Sequence, residues 1–218
     1  TGKTDWNFSY LSPNGNKTPF DTANWDQLKG KQPFFAQINF PETHRGGAWN
    51  NAHKHIDRPA NPDKVKLPPY YPDHPLPRAD WAQYLNTVMA LDKKVGFVLD
   101  KLERDGLTDN TVVFFIGDHG RAMVRGKQWP YDSGLNVPMI IRWPKNFPAP
   151  KGFQPGTVDD RIVASIDWSA TVLDIASIPK PAKMQGRIFL GENDEGEREH
   201  AFAGRDRGDE TVDFIRTV

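Results

Sequence analysis

The sequence predicts an α/β fold with a mostly parallel sheet sandwiched between helices, and three observations indicate it. From residue 80 onwards, apolar residues recur every three or four positions, which is typical of an amphipathic helix. The run Thr111–Ile116 then reads as a strand buried on both faces of a parallel sheet. A second apolar run, Val137–Arg142, is another strand candidate. A helix followed by buried strands favours the α/β class.

The long helix is the clearest predicted element. Asp80 is expected to cap its N-terminus and Gly106 to end it, which gives about 25 residues. Its apolar stripe comprises Trp81, Tyr84, Leu85, Val88, Leu91, Val95, Val98, Leu99 and Leu102.

The other elements are shorter. Pro33 and Pro41 bracket Phe34–Phe40, an aromatic run that predicts a buried strand. The proline-rich residues 42–78 are expected to form a long loop. Asp167–Ala176 predicts an amphipathic helix. Residues 200–204 and 211–218 are weaker strand candidates.

Composition excludes several function classes. The 218 residues contain 28 basic and 28 acidic side chains, so clustered positive charge for nucleic acid or an anionic membrane is not expected. With no cysteine, these residues form no disulfide, zinc–thiolate site or cysteine nucleophile. No apolar run is long enough to predict a membrane span.

Polar residues follow two of the predicted strands. His44 comes after Phe34–Phe40, and Asp118 with His119 comes after Thr111–Ile116. Ligands of open α/β sheets bind beyond the carboxyl ends of the strands. A carboxylate and an imidazole side by side can bind one cation. The alternative is that Asp118 caps a turn and His119 is merely exposed.

Two lysines could meet an anion. The ammonium groups of Lys127 and Lys3 can each neutralise a tetrahedral oxyanion such as sulfate, although a lysine taken alone is far more often a solvated surface residue. His53 and His55 could suggest a metal clip. A solvated loop is favoured there, because no third ligand follows at a fitting spacing.

Three blocks occur in a set order: Phe114-Phe115-Ile116-Gly117-Asp118-His119-Gly120, then Gly126-Lys127, then Tyr131-Asp132-Ser133-Gly134-Leu135-Asn136-Val137-Pro138. This order resembles the sulfatase family, a branch of the alkaline-phosphatase superfamily. The segments around Lys3 and His44 resemble the family's lysine-bearing segment and the strand that leads to its active-site histidine. Lys3-Thr4-Asp5-Trp6-Asn7 and Arg205-Asp206-Arg207 are most similar to bacterial heparan N-sulfatase-like members.

The resemblance implies an alkaline-phosphatase-like fold and hydrolysis of sulfate esters or sulfamates on a sulfated small molecule or glycan. It also implies a formylglycine nucleophile, a divalent cation expected to be Ca²⁺, and export from the cytoplasm. By match, Asp118 and His119 would be cation ligands. Lys3 and Lys127 would hold sulfate oxygens, and His44 would contact sulfate or protonate the leaving atom.

Two departures from the family pattern lead us to expect a part of a longer enzyme. The sequence has no Cys-x-Pro-x-Arg, and Ser177-Ile178-Pro179 lacks the following arginine. The family's paired aspartates have no counterpart before Lys3. We therefore expect a partial domain, inactive alone. Residues 1–195 would belong to the catalytic domain, and residues 196–218 would start a smaller C-terminal subdomain.

Two other functions remain open at this stage. A phosphomonoesterase or phosphodiesterase of the same superfamily would use similar lysines and metal, since phosphate and sulfate are nearly isosteric. A relative without catalytic activity could retain the fold as a binding module. The identity of the nucleophile and a cation titration would separate these alternatives.

Overall fold

A computed structural model describes residues 19–205 and the strand at residues 214–217. The chain forms two compact units, residues 1–105 and residues 106–218. Within the described residues, no helix has the length and apolar character needed to cross a bilayer. The predicted boundary between residues 195 and 196 remains a prediction.

The first unit is organised by two α-helices, α1 (Gly47–Asn51) and α2 (Pro75–Arg104). The long helix is thus confirmed, but it begins five residues before Asp80. His74 caps it by accepting a hydrogen bond from the Leu76 amide at 3.3 Å, and Pro75 suits the first turn because it lacks an N–H. Short 3₁₀ helices span Trp25–Leu28, Ala52–His55 and Pro62–Lys64.

The core of this unit lies where α1 meets α2. Trp49 is buried and its ring stacks on Tyr84 with centroids 6.1 Å apart. Gln83 donates a side-chain hydrogen bond to the Trp49 carbonyl oxygen. The small residues Ala82 and Ala90 are also buried. The segment that was expected to be a plain loop is therefore partly helical and packed.

The predicted strand Phe34–Phe40 is wrong. The segment pairs with no other strand among the described residues, and the side chains of Phe35 and Ile38 are exposed. A strand needs a neighbour to satisfy its backbone N–H and C=O groups. Apolar content alone therefore did not produce a strand here.

The second unit begins with a short 3₁₀ helix at Thr108–Asn110, followed by β1 (Val113–Ile116), α3 (Asp132–Leu135) and β2 (Met139–Arg142). Both predicted strands are confirmed, but they pair antiparallel, with Ile116 opposite Met139. The predicted parallel pairing is therefore wrong for this pair. A parallel connection needs a crossover helix, and α3 has only four residues. Nor is β1 buried on both faces, since Ile116 is exposed.

Helix α4 (Ser165–Ile175) confirms the predicted amphipathic helix and starts two residues earlier. Its Asp167 is 1% exposed and its carboxylate accepts three hydrogen bonds. The donors are the Ala164 amide at 2.8 Å, the Arg187 amide at 2.8 Å and Arg198 Nη2 at 2.6 Å. One buried carboxylate thus caps α4 and ties the segment 187–198 to it.

The unit ends in a second antiparallel pair, β3 (Phe202–Arg205) and β4 (Phe214–Thr217). Both weaker strand candidates are thereby confirmed. The α/β class holds for the described residues, because helices and strands alternate in the second unit. Both described sheets are two-stranded and antiparallel.

Candidate functional site

The loop that leaves β1 is closed by backbone hydrogen bonds. The Gly117 amide donates to the Pro138 carbonyl at 2.9 Å, which extends the β1–β2 ladder by one step. The Gly120 amide then donates to the Gly134 carbonyl at 3.0 Å. Asp118 and His119 lie between these two bonds. They are therefore held at the end of β1, as the sequence predicted.

The ring of His119 has a defined orientation. Its Nδ1 lies 2.8 Å from the Gly120 carbonyl oxygen, which can only accept, so Nδ1 carries the hydrogen. In the neutral imidazole, Nε2 then has the lone pair that a metal ion binds. Nε2 lies 3.6 Å from Oδ2 of Asp118. Two metal–ligand bonds of about 2.1 Å span up to roughly 4.2 Å, so both atoms can contact one ion.

Both side chains reach solvent. The side chains of Asp118 and His119 are 67% and 37% exposed. No group of three or more histidine, aspartate or glutamate side chains suited to a metal occurs among residues 19–205. Among these residues, Asp118 and His119 can therefore supply at most two ligands of a cation.

Lys127 lies in a tight turn of the same loop. The Trp129 amide donates to the Gly126 carbonyl at 3.0 Å, so Lys127 and Gln128 are the central residues of a β-turn. The Lys127 amide donates to the Arg121 carbonyl at 2.8 Å. Gln128 has a φ of 75°, a left-handed conformation that costs a residue with a side chain about 1–2 kcal/mol. Such strain is common at binding and catalytic sites.

Two glycines allow the loop to fold this closely. A Cβ at Gly126 would overlap the Arg121 carbonyl oxygen, and a Cβ at Gly134 would overlap the Trp129 carbonyl oxygen. Both obstacles are backbone atoms, which cannot rotate away. The predicted Gly126-Lys127 motif and the glycine of the following block thus have a packing reason.

Sequence reasoning missed a cluster of aromatic and cationic side chains formed by residues on either side of Lys127 in the sequence and by Arg205. The guanidinium of Arg205, at the end of β3, lies 4.0 Å from the centre of the Trp129 ring. The guanidinium of Arg125 lies 5.0 Å from the centre of the Tyr131 ring. The two rings are 6.4 Å apart. The alternation of basic and aromatic residues in 125–131 was the available signal.

His44 lies in the first unit, in a turn closed by its amide and the Pro41 carbonyl at 3.1 Å. Side chains hold this turn against α2. The buried Glu42 pairs with Lys94, and Arg45 pairs with Asp80 at 2.5 Å. Asp80 is therefore an ion-pair partner rather than the helix cap.

The five predicted site residues have different outcomes. Asp118, His119 and Lys127 belong to one loop of the second unit, and Asp118 and His119 are in contact distance. Lys3 lies outside the described residues. The convergence of Lys3 and His44 with the other three remains a prediction. His53 and His55 belong to the 3₁₀ helix at Ala52–His55.

Comparison with known proteins places the chain in a family. The sulfatase family model matches residues 8–178. The chain is 34% identical to an ulvan-active sulfatase of Formosa agariphila, over 99% of this chain and 41% of that protein. It is 29% identical to human N-sulphoglucosamine sulphohydrolase, over 72% of this chain and 34% of that protein.

Among solved structures, a phosphonate monoester hydrolase from Silicibacter pomeroyi is 26% identical, with a TM-score of 0.49. The match covers 72% of this chain and 31% of that one. The chain thus spans less than half the length of these relatives. Because the family model matches well over half of its residues, the chain belongs to the sulfatase family.

Proposed function

We propose that the protein containing this chain hydrolyses sulfate esters or sulfamates on sulfated glycans. Membership of the sulfatase family over residues 8–178 is the observation that carries the proposal. The relatives named above include an ulvan-active sulfatase and an N-sulphoglucosamine sulphohydrolase. Their names support a sulfated saccharide as the substrate.

Asp118 and His119 would hold the divalent cation. The Nδ1–H bond to Gly120 supports this role, because it leaves the lone pair on Nε2, which lies 3.6 Å from the Asp118 carboxylate. The cation would act as a Lewis acid that polarises the sulfate oxygens. Ca²⁺ is the ion that the family resemblance implies, and the nitrogen donor also suits transition metals.

Lys127 would bind a sulfate oxygen. The hydrogen-bonded turn supports this role, because it fixes the Lys127 backbone in the loop that carries Asp118 and His119, and its ammonium can stabilise negative charge that develops on the sulfate. Lys3 would supply a second cation. His44 would contact the sulfate or protonate the leaving oxygen or nitrogen.

The first experiment measures sulfate release by the protein expressed from its complete gene. An aryl sulfate and a sulfated oligosaccharide are the substrates, and the matching phosphate monoester is the comparison. We expect Lys127→Gln to lower kcat/KM for sulfate release about 100-fold. Lys145→Gln is the matched control, since that lysine belongs to the same unit and is exposed. Faster release of phosphate than of sulfate would contradict the proposal.

A second measurement tests the cation. We expect Asp118→Asn and His119→Gln each to weaken Ca²⁺ binding at least about tenfold in isothermal titration of that protein. Mn²⁺ and Zn²⁺, titrated in parallel, identify the preferred ion. Unchanged affinity in both variants would remove these residues from the cation site.

A further inference from the structure

The first unit carries a row of basic side chains that the proposed function does not use. They are exposed residues of the segment 53–66, and we call them the basic strip: Lys54, Arg58, Lys64 and Lys66. We propose that the basic strip binds a linear sulfated polysaccharide and so holds the substrate by groups other than the sulfate that is removed. The choice of ligand rests on the proposed function, whereas the site itself rests on position and charge.

The segment that carries the basic strip runs along helix α2. Three hydrogen bonds join the two, from the Lys93 ammonium to the Asp57 carboxylate at 3.1 Å, from the Ala60 amide to the Asn86 side-chain oxygen at 2.7 Å, and from the Arg78 guanidinium to the Val65 carbonyl at 3.2 Å. The three partners on α2 are seven and eight residues apart, so they share one face of the helix and cover about 22 Å of its length. The cations of the segment therefore lie in a row.

Lys64 and Lys66 point to the same side of the segment. Val65, between them, is 9% exposed and has an extended backbone, with φ −72° and ψ 141°. Successive side chains of an extended chain point in opposite directions, and every second Cα atom is about 7 Å apart. Since Val65 faces the protein, both lysines face solvent.

The cations of the basic strip have no partner inside the chain. In the part of the chain that the structure describes, their ammonium and guanidinium groups form no hydrogen bond or ion pair. The other bases of this surface are paired: Lys93 with Asp57, Lys94 with Glu42 and Arg78 with Asp73. An external anion can therefore bind the basic strip without first breaking an ion pair.

The charge of this surface is positive although the whole chain is neutral. With histidines neutral, the segment 53–66 has four basic and two acidic side chains, Asp57 and Asp63. On α2, Lys93 adds one base and Asp92 adds one acid. The balance is two positive charges, which favours an anionic ligand and which the total charge of the chain conceals.

A linear polymer with repeated negative charges fits a row of cations better than a single small anion does. Each contact releases a counterion, so several contacts along one polymer add up. The segment 53–66 contains no phenylalanine, tyrosine or tryptophan, so it has no aromatic ring on which nucleic-acid bases could stack. A sulfated polysaccharide is the linear polyanion that the proposed function already brings to this protein.

The basic strip belongs to the same unit as His44. Lys93 of α2 holds Asp57, and the next residue, Lys94, holds Glu42, two positions before His44. Both segments are thus anchored at neighbouring residues of α2. A polysaccharide gains contacts with the basic strip that a small sulfate ester lacks, so the strip should favour polymeric over small substrates.

The test measures binding to the protein expressed from its complete gene. The probe is a fluorescent dextran sulfate oligosaccharide longer than the basic strip, and unsulfated dextran of the same length is the ligand control. We expect saturable binding of dextran sulfate and none of dextran. The strip variant changes all four cations to glutamine and should bind dextran sulfate about 30-fold more weakly at low salt. This loss should shrink as salt is added.

A matched control variant also loses one arginine and three lysines, all exposed residues of the second unit that are changed to glutamine: Arg142, Lys145, Lys151 and Lys183. Both variants lower the net charge equally, so only a local site makes the strip variant the weaker binder. The control should stay within about threefold of the unaltered protein. Unfolding midpoints check that the variants fold, and the double variant Lys64→Gln/Lys66→Gln, with an expected loss of about fivefold, repeats the test with fewer changes.

Three results would overturn the proposal: no saturable binding of dextran sulfate, equal losses in the strip and control variants, or tighter binding of a single-stranded DNA with the same number of charges. The last would assign the basic strip to nucleic acid. Aryl sulfate hydrolysis is measured separately and should be unchanged in the strip variant. A protein that binds dextran sulfate through the strip but releases no sulfate would refute the proposed function and leave the polyanion site. Sulfate release without this binding would refute only the site.

Discussion

The loop 117–136 and the turn at residues 41–46 both present candidate site residues, but different interactions hold them. In the loop, backbone amides bond backbone carbonyls, as from Gly120 to Gly134 and from Lys127 to Arg121. In the turn, two ion pairs hold the segment against α2: Glu42 pairs with Lys94, and Arg45 pairs with Asp80. The loop therefore depends on glycines that leave room for close backbone contacts, and the turn depends on oppositely charged side chains.

This difference matters for the site. In the loop, backbone bonds hold the turn around Lys127, so the Lys127 side chain can serve chemistry without being needed for the turn itself, whereas the His119 ring also bonds the Gly120 carbonyl. In the turn, Glu42 and Arg45, which lie before and after His44, form the ion pairs that hold it against α2. The two regions should therefore respond to different substitutions.

The largest effect should come from adding one carbon to the loop. In Gly134→Ala, the new Cβ would meet the Trp129 carbonyl oxygen, so the loop must open and we expect a loss of about 3 kcal/mol in unfolding free energy. Chemical denaturation measures it. Gly204→Ala, in the same unit and with open space around it, should change stability by less than about 1 kcal/mol. Equal effects would show that the loop is not closely packed.

A smaller effect should follow from loss of charge in the turn. Glu42→Gln removes the partner of Lys94, and we expect a loss of about 1.5 kcal/mol, limited because Lys94 is 51% exposed and regains water. Thermal unfolding measures it. Asp57→Asn breaks the neighbouring pair with Lys93, where Asp57 is 87% exposed, and should cost under about 0.5 kcal/mol. If Asp57→Asn were the more damaging change, burial of Glu42 would not be what makes its ion pair important.

The smallest effect is expected at Glu195, which lies outside both regions and affects how stability depends on pH. Lys180 and the Ile188 amide bond the Glu195 carboxylate, which holds the pKa of Glu195 below its ordinary value of 4.5. A lowered folded-state pKa adds stability above pH 4.5, and this stability is lost as the pH falls through the lowered value.

Glu195→Gln should therefore reduce stability at neutral pH by less than about 1 kcal/mol. The difference from the unaltered protein should disappear in acid. Unfolding midpoints between pH 2 and pH 7 measure it. A difference that grows towards low pH would have the wrong sign.

Much of the fold could be predicted from local patterns. The stripe of apolar residues in α2 follows the helix periodicity, and the apolar runs of β1 and β2 became strands because they pair with each other. Phe34–Phe40 failed because a strand exists only with a neighbour. The start of α2 was missed because His74 is an uncommon cap, and Asp80 had the more familiar side chain.

The sequence by itself determined the family and the order of Asp118, His119 and Lys127, because these follow from residue types and spacing along one loop. Only the tertiary structure decided that β1 and β2 pair antiparallel, since pairing direction depends on how the connecting loop folds back. It also decided that His119 Nε2 lies 3.6 Å from Asp118 Oδ2 and that the Arg205 guanidinium lies over the Trp129 ring. Contacts between residues distant in sequence arise from packing, which no local pattern encodes.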